Sequence, residues 1–331
     1  MSYALIDLEN INEQSYENLL ALWADLEAAL NSALQHPDRV GDFPTKLAEL
    51  RRWLEDMIQQ DSDTALYLMF QLASTSMAGY SASHALVCAS LCHMVAPPLG
   101  LGPHERVTLL HAAMSMNIGM TGLQDELALQ TERPTLLQEQ AIQDHPQAGV
   151  QLLRSLGVID PLWLEVIAHH HTPPAERLPL QSLNTTQRLT RVLASIDRYA
   201  AMISPRKSRP DRSVGDSLRA IMGQRFDPRD EVGKALAATA GLYPPGTLVK
   251  LDTQEIAVVL RRTQEPKYPM VAGIIDSKGR PYERPPLYLT ASGKPRIINS
   301  LPLSAISFSL DHRTMVSLGL FTARQAAGTQ G

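Results

Sequence analysis

The chain has 331 residues, 44% apolar and 19% charged, with a net charge of -4, enough for a sizeable core and two or three domains. That balance provides no global basic field, so nucleic acid and anionic lipid are not expected partners; a phosphate-bearing ligand needs a local site. No apolar run approaches membrane-spanning length, and Asp7, Glu9 and Glu13 leave no room for a basic-then-apolar secretory signature, so the expected location is cytoplasmic.

Residues 12–35 and 44–60 are helical in period. Leu19, Leu20, Leu22, Trp23, Leu26 and Leu30 form one stripe; Leu47, Leu50, Trp53, Leu54 and Ile58 form another. Gly41 and Pro44 break the chain between them, which predicts a helical hairpin over 1–63. Such a hairpin serves either as a docking or dimerisation module or, more commonly, as a cover for the domain that follows.

From 64 to 241 the pattern is nearly all helix, with segments at 64–76, 80–96, 104–116, 136–142, 146–156, 161–171, 185–203 and 213–222. Cys88 and Cys92 share a helix face with His84 in an H-x3-C-x3-C spacing. A straight helix rarely aims three successive turns at one ion, so the two cysteines read as small packing residues. His145 and the run His169, His170 and His171 bracket two apolar stripes. Pro146 suits a helix's first turn, which places His145 at that helix's entrance; Pro173 and Pro174 stop the second helix just after the histidines. Clustered imidazoles suit a metal. A solvated helix end accounts for the same residues, because cationic side chains are favoured near helix C-termini.

Beyond Leu242 the character changes. TLVKL, EIAVVLRR, MVAGIID and PRIINS are rich in β-branched residues and separated by SKGRP and ASGKP turns. They predict a small antiparallel sheet or barrel over 242–331, ending in a frayed tail from 319. The fold class expected is therefore mainly α, with an N-terminal helical hairpin, a helical domain and a small C-terminal β-module.

Several segments in order carry a family resemblance. They are Ser81-Ala-Ser-His84-Ala-Leu-Val, Asp144-His145-Pro146-Gln-Ala-Gly149, Ile167-Ala-His-His-His171 and Val192-Leu-Ala-Ser-Ile-Asp197. Ser204-Pro-Arg206-Lys-Ser-Arg209, Phe226-Asp227-Pro and Leu242-Tyr-Pro-Pro-Gly-Thr247 follow them. Together, over about residues 64–250, they resemble the HD-GYP branch of the HD phosphohydrolase superfamily. The resemblance implies an all-helical domain that hydrolyses cyclic di-GMP with two or three iron or manganese ions. His84, His145, His170, His171 and Asp197 match its metal-ligand positions. Arg206, Lys207 and Arg209 match its basic exit segment and suit phosphate, although a solvated basic turn reads the same way.

The departures are local. The histidine-aspartate-x-glycine-lysine signature is replaced by Met116-Asn117-Ile118-Gly119-Met120, and the glycine-tyrosine-proline motif is absent after Thr172-Pro-Pro. Aligning His111 with the signature histidine loses the Asn-Ile-Gly match, and His111 lies about 140° around a helix from Met116, so it is expected outside the cluster. A thioether prefers soft metals and a neutral amide bridges two dications poorly; the retained donors suit a single zinc, iron or manganese ion. Three readings follow: binding of metal, cyclic di-GMP or a signalling partner with little or no hydrolysis; a working phosphodiesterase with fewer metals; and a non-catalytic scaffold or homodimer.

Overall fold

The computed structural model describes residues 13–75, 79–174, 178–204, 230–265, 267–290 and 295–328. Helices α1 (Glu13–Gln35) and α2 (Phe43–Gln60) form the expected hairpin. Asp42 caps α2 by accepting from the Thr45 amide at 3.0 Å, with Pro44 in the first turn. Then come α3 (Ser62–Thr75), α4 (Tyr80–Val95), α5 (Pro103–Ser115), α6 (Thr121–Leu129), α7 (Leu136–Ser155), α8 (Pro161–His169), α9 (Thr185–Ile203) and α10 (Glu231–Ala240). Helix α4 is the central element: every described side chain from Tyr80 to Cys92 is buried. A helix apolar all round needs neighbours on all sides, and α1, α3, α5, α6, α9 and α10 supply them.

Two sequence expectations are corrected. Segments 136–142 and 146–156 are one helix, α7, with Pro146 inside it rather than at its start. Proline removes the N–H that would bond the Ile142 carbonyl, usually a cost of about 3 kcal/mol. Here the imidazole of His145 takes over, its Nδ1–H donating to Ile142 O at 2.6 Å. The frayed tail is likewise a helix, α11 (His312–Gly328). It buries Met315, Val316 and Leu318 in the main core against α1, α3 and β2, and only 329–331 fall outside the described residues. The expected 213–222 helix also lies outside the described residues.

Strands β1 (Leu248–Leu251), β2 (Ile256–Arg261), β3 (Met270–Ile275), β4 (Leu287–Leu289) and β5 (Ile297–Leu301) make one antiparallel sheet in the order β4-β3-β2-β1-β5. Alternation divides its side chains. Leu248, Val258, Leu260, Ala272 and Ile274 join the helical core, while Val249, Leu251, Ala257, Val259 and Val271 form a second small cluster behind.

Charge holds the sheet to the helices where α2 meets α3. Arg261 reaches Asp61 at 2.8 Å; Arg262 reaches Asp63 at 2.5 Å and donates to Ser62 Oγ at 2.6 Å. The carboxylates are only 13% and 11% exposed, so charge-assisted bonds here count for more than surface pairs. Asp63→Ala is expected to lower stability by about 2 kcal/mol, the usual worth of a hydrogen bond to a charged group. Urea denaturation with unchanged slope would register it.

Candidate metal centre

Four helices supply the donors. Asp160 starts α8 by accepting from the Leu162 amide at 2.9 Å, with Pro161 in the first turn, and the helix ends where His170 and His171 emerge. Asn184 opens α9 with a reciprocal cap to Gln187, setting the register that places Asp197 three turns on. Helix α4 carries His84; its N-terminus lacks a side-chain cap at Gly79, and the Asp125 carboxylate of α6 accepts from Ser81 N and Oγ instead. Helix α7 carries His145.

His145 and α7 are seated by glycine. A Cβ on Gly119 would lie 2.5 Å from the His145 carbonyl oxygen and 2.7 Å from the Gly149 amide nitrogen. A Cβ on Gly149 would meet the Ile118 side chain first, at an ordinary 3.5 Å. At Gly119 only hydrogen fits between the two backbones. Gly119→Ala is therefore expected to push α7 outward and cost about 1–3 kcal/mol, the usual range for overpacking, measurable as a lower melting temperature.

The five expected residues lie together in two adjoining groups. In the first, ligand atoms of His145, His170 and His171 all lie within 4.8 Å of one another. His145 and His170 are 1% exposed, while His171 faces solvent at the rim. In the second, His84, Asp197 and Cys88 meet the same limit. His84 Nε2 is 2.8 Å from Asp197 Oδ1, and Tyr80 stacks beside the His84 ring at 5.8 Å. Asp197 acts electrostatically on His145, His170 and His171, so the two groups are close enough to influence each other's charge.

Hydrogen bonding fixes the tautomers. His145 Nδ1 meets Ile142 O at 2.6 Å, and His170 Nδ1 meets Ile167 O at 2.7 Å. A carbonyl only accepts, so each Nδ1 carries the proton. Burial pulls His145 down to about 4 and His170 to about 3, so both rings are neutral near pH 7. Their Nε2 lone pairs then face each other at 3.2 Å with no proton between. Two acceptors at that distance repel unless a cation lies beside both. Burial raises the Asp197 carboxyl, but the His84 hydrogen bond and the surrounding imidazoles outweigh it and hold the group at about 2. It is an anion at the edge of a nitrogen cluster.

Met116 caps the end of α5 and is 1% exposed; Asn117 opens the following short turn. Neither supplies a carboxylate. His111 lies elsewhere, against Trp163 with ring centres 4.8 Å apart, and burial pulls it to about 4. His169 is exposed. Arg206, Lys207 and Arg209 lie outside the described residues. Cys88, a packing residue by its sequence pattern, also places its Sγ 3.6 Å from His84 Nε2. The H-x3-C spacing carried that signal, but the third member comes from α9 rather than from Cys92 on the same helix.

No family model matches the chain. The chain is 27% identical over 158 residues to a cyclic di-GMP phosphodiesterase of Pseudomonas aeruginosa, a match covering 46% of this chain and 37% of that protein. The matched region thus spans well under half of the relative's length. Among solved structures, a HDG"Y"P protein from Bdellovibrio bacteriovorus aligns over 71% of this chain and 72% of its own, with 12% identity and a TM-score of 0.49.

Proposed function

We propose that this chain, a member of the HD-GYP family by its helical domain, is a cyclic-dinucleotide signalling protein that holds metal and binds cyclic di-GMP with little or no hydrolysis. The observation carrying this reading is the pair of opposed Nε2 lone pairs on His145 and His170. With His171 they offer one dication three imidazole rings, and His84 and Asp197 extend the donor set on the other side. Imidazole suits zinc, iron or manganese; the donors do not select among them. Bound there, a dication supplies positive charge to a phosphodiester oxygen.

The chain's own residues set the limits. His145 and His170 hold their protons on Nδ1 and keep Nε2 turned to the pocket. His171 and Asp197 stand at its partly exposed side, where a phosphate group has access. Arg206, Lys207 and Arg209 are proposed to meet phosphate oxygens, since guanidinium forks match them. A closely spaced metal pair does not fit: Met116 and Asn117 stand where the resemblance calls for an imidazole and a bridging carboxylate.

Metal analysis of protein purified without chelator is expected to find about one equivalent of zinc, iron or manganese per chain. Calorimetric titration of that protein with cyclic di-GMP should then show saturable heat, with the dinucleotide recovered intact. A metal-free pocket without dinucleotide binding would overturn the proposal in favour of the scaffold reading.

A further inference from the structure

We propose that Cys88 is itself a metal ligand, forming with His84 and Asp197 a thiolate-bearing position that selects a thiophilic dication such as zinc. This rests on the metal reading above and refines it. Cys88 is fully buried on the central helix, yet its Sγ reaches His84 Nε2 at 3.6 Å, and these two atoms and an Asp197 oxygen lie within 4.8 Å of one another. Zinc bonds of about 2.3 Å to sulfur and about 2.05 Å to nitrogen, at a tetrahedral angle, place those donors about 3.6 Å apart.

A nucleophilic triad does not fit these contacts. In such a relay the carboxylate holds one imidazole nitrogen and the nucleophile meets the other. Here Asp197 and Cys88 both meet Nε2, while His84 Nδ1 is buried without a hydrogen-bond partner. The buried thiol also has no exposed face for a substrate to approach. What the arrangement does provide is three donors converging on one point from two helices.

Charge favours the same assignment. A dication held by imidazole nitrogen and the single Asp197 carboxylate would leave a net positive charge in largely buried surroundings, which is costly. Metal binding at sulfur replaces the thiol proton, released to solvent, and the resulting thiolate balances the second charge. Sulfur also shifts preference away from manganese, which favours oxygen donors, toward zinc.

Cobalt(II) added to the metal-free full-length protein serves as the probe. The expected spectrum has visible ligand-field bands and an intense near-ultraviolet sulfur-to-cobalt charge-transfer band. Cys88→Ser should lose the charge-transfer band while retaining bound cobalt, and Cys92→Ser should keep it. Ligand-field bands without charge transfer in the wild type would overturn the thiolate ligand and leave the metal pocket standing. Failure of the wild type to retain cobalt would sink both. A band abolished by Cys92→Ser but not by Cys88→Ser would reassign the sulfur and refute the proposal. The wild-type spectrum decides even if Cys88→Ser does not fold.

Discussion

Wild-type protein supplied with iron or manganese is expected to leave cyclic di-GMP essentially intact, and Met116→His/Asn117→Asp is expected to introduce turnover. The reason is electrostatic. A metal pair that activates water and clamps a phosphoryl oxygen needs an anion between its members to hold two dications at short distance. At this place the chain offers a thioether and a neutral amide. Loss of about 3 kcal/mol of transition-state stabilisation is more than a hundredfold in rate, and here both the bridge and a ligand are missing. The double variant restores both groups at the end of α5, where Met116 is already buried in the pocket-bearing domain. Product formation by chromatography, with metal content measured for both proteins, decides the matter. Robust wild-type turnover would establish a working phosphodiesterase with fewer metals in place of the binding reading.

The second large effect is on stability. Transition metal added to the metal-free protein should raise its melting temperature by several degrees, since a ligand at a hundred times its dissociation constant adds about 2.7 kcal/mol to the folded state. His170→Ala should remove most of that rise, because it deletes one of the two opposed Nε2 donors. Without metal the same imidazoles make the protein acid-sensitive. His145 and His170 titrate at about 4 and about 3 when folded, below the usual 6.5. Between those values the unfolded chain binds more protons than the folded one, so stability is complete above about pH 6.5 and is lost as pH falls. At pH 5 the loss is on the order of 2 kcal/mol for each of these two histidines. Urea denaturation at pH 7 and pH 5, in wild type and His170→Ala, measures it. Equal acid sensitivity in the two proteins would show that other groups cause it.

The sequence made the helical domain and the grouping of its donors legible because ordered motifs constrain one another. His145 and the His170-His171 pair are far apart in sequence, yet their ligand atoms lie within 4.8 Å of one another, and Asp197 reaches His84 across more than a hundred residues. Three things were hidden, each for a physical reason. Cys88 sits among Leu86, Val87 and Ala89, all buried, so its sulfur is indistinguishable by pattern from packing until α9 arrives beside it. Helix α11 shows a weak stripe interrupted by Gly319 and followed by QAAGTQG, and its burial depends on contacts with α1, α3 and β2. Helix α7 reads as two segments because proline is ordinarily a boundary, and no local rule says that the preceding side chain will supply the missing donor.

The break in the α7 ladder also sets a trade between robustness and aim. An alanine at position 146 would return an amide to the Ile142 carbonyl and free the His145 ring to rotate or exchange tautomers. Pro146→Ala is thus expected to give a more heat-resistant protein whose metal-free His145 loses its single protonation pattern, visible in nitrogen-15 shifts of the imidazole. Selection acting on melting temperature alone would discard the proline; selection acting on a correctly oriented imidazole would retain it. The helix is weakest at the point where its side chain must be most accurately placed, and the two properties are written by neighbouring codons.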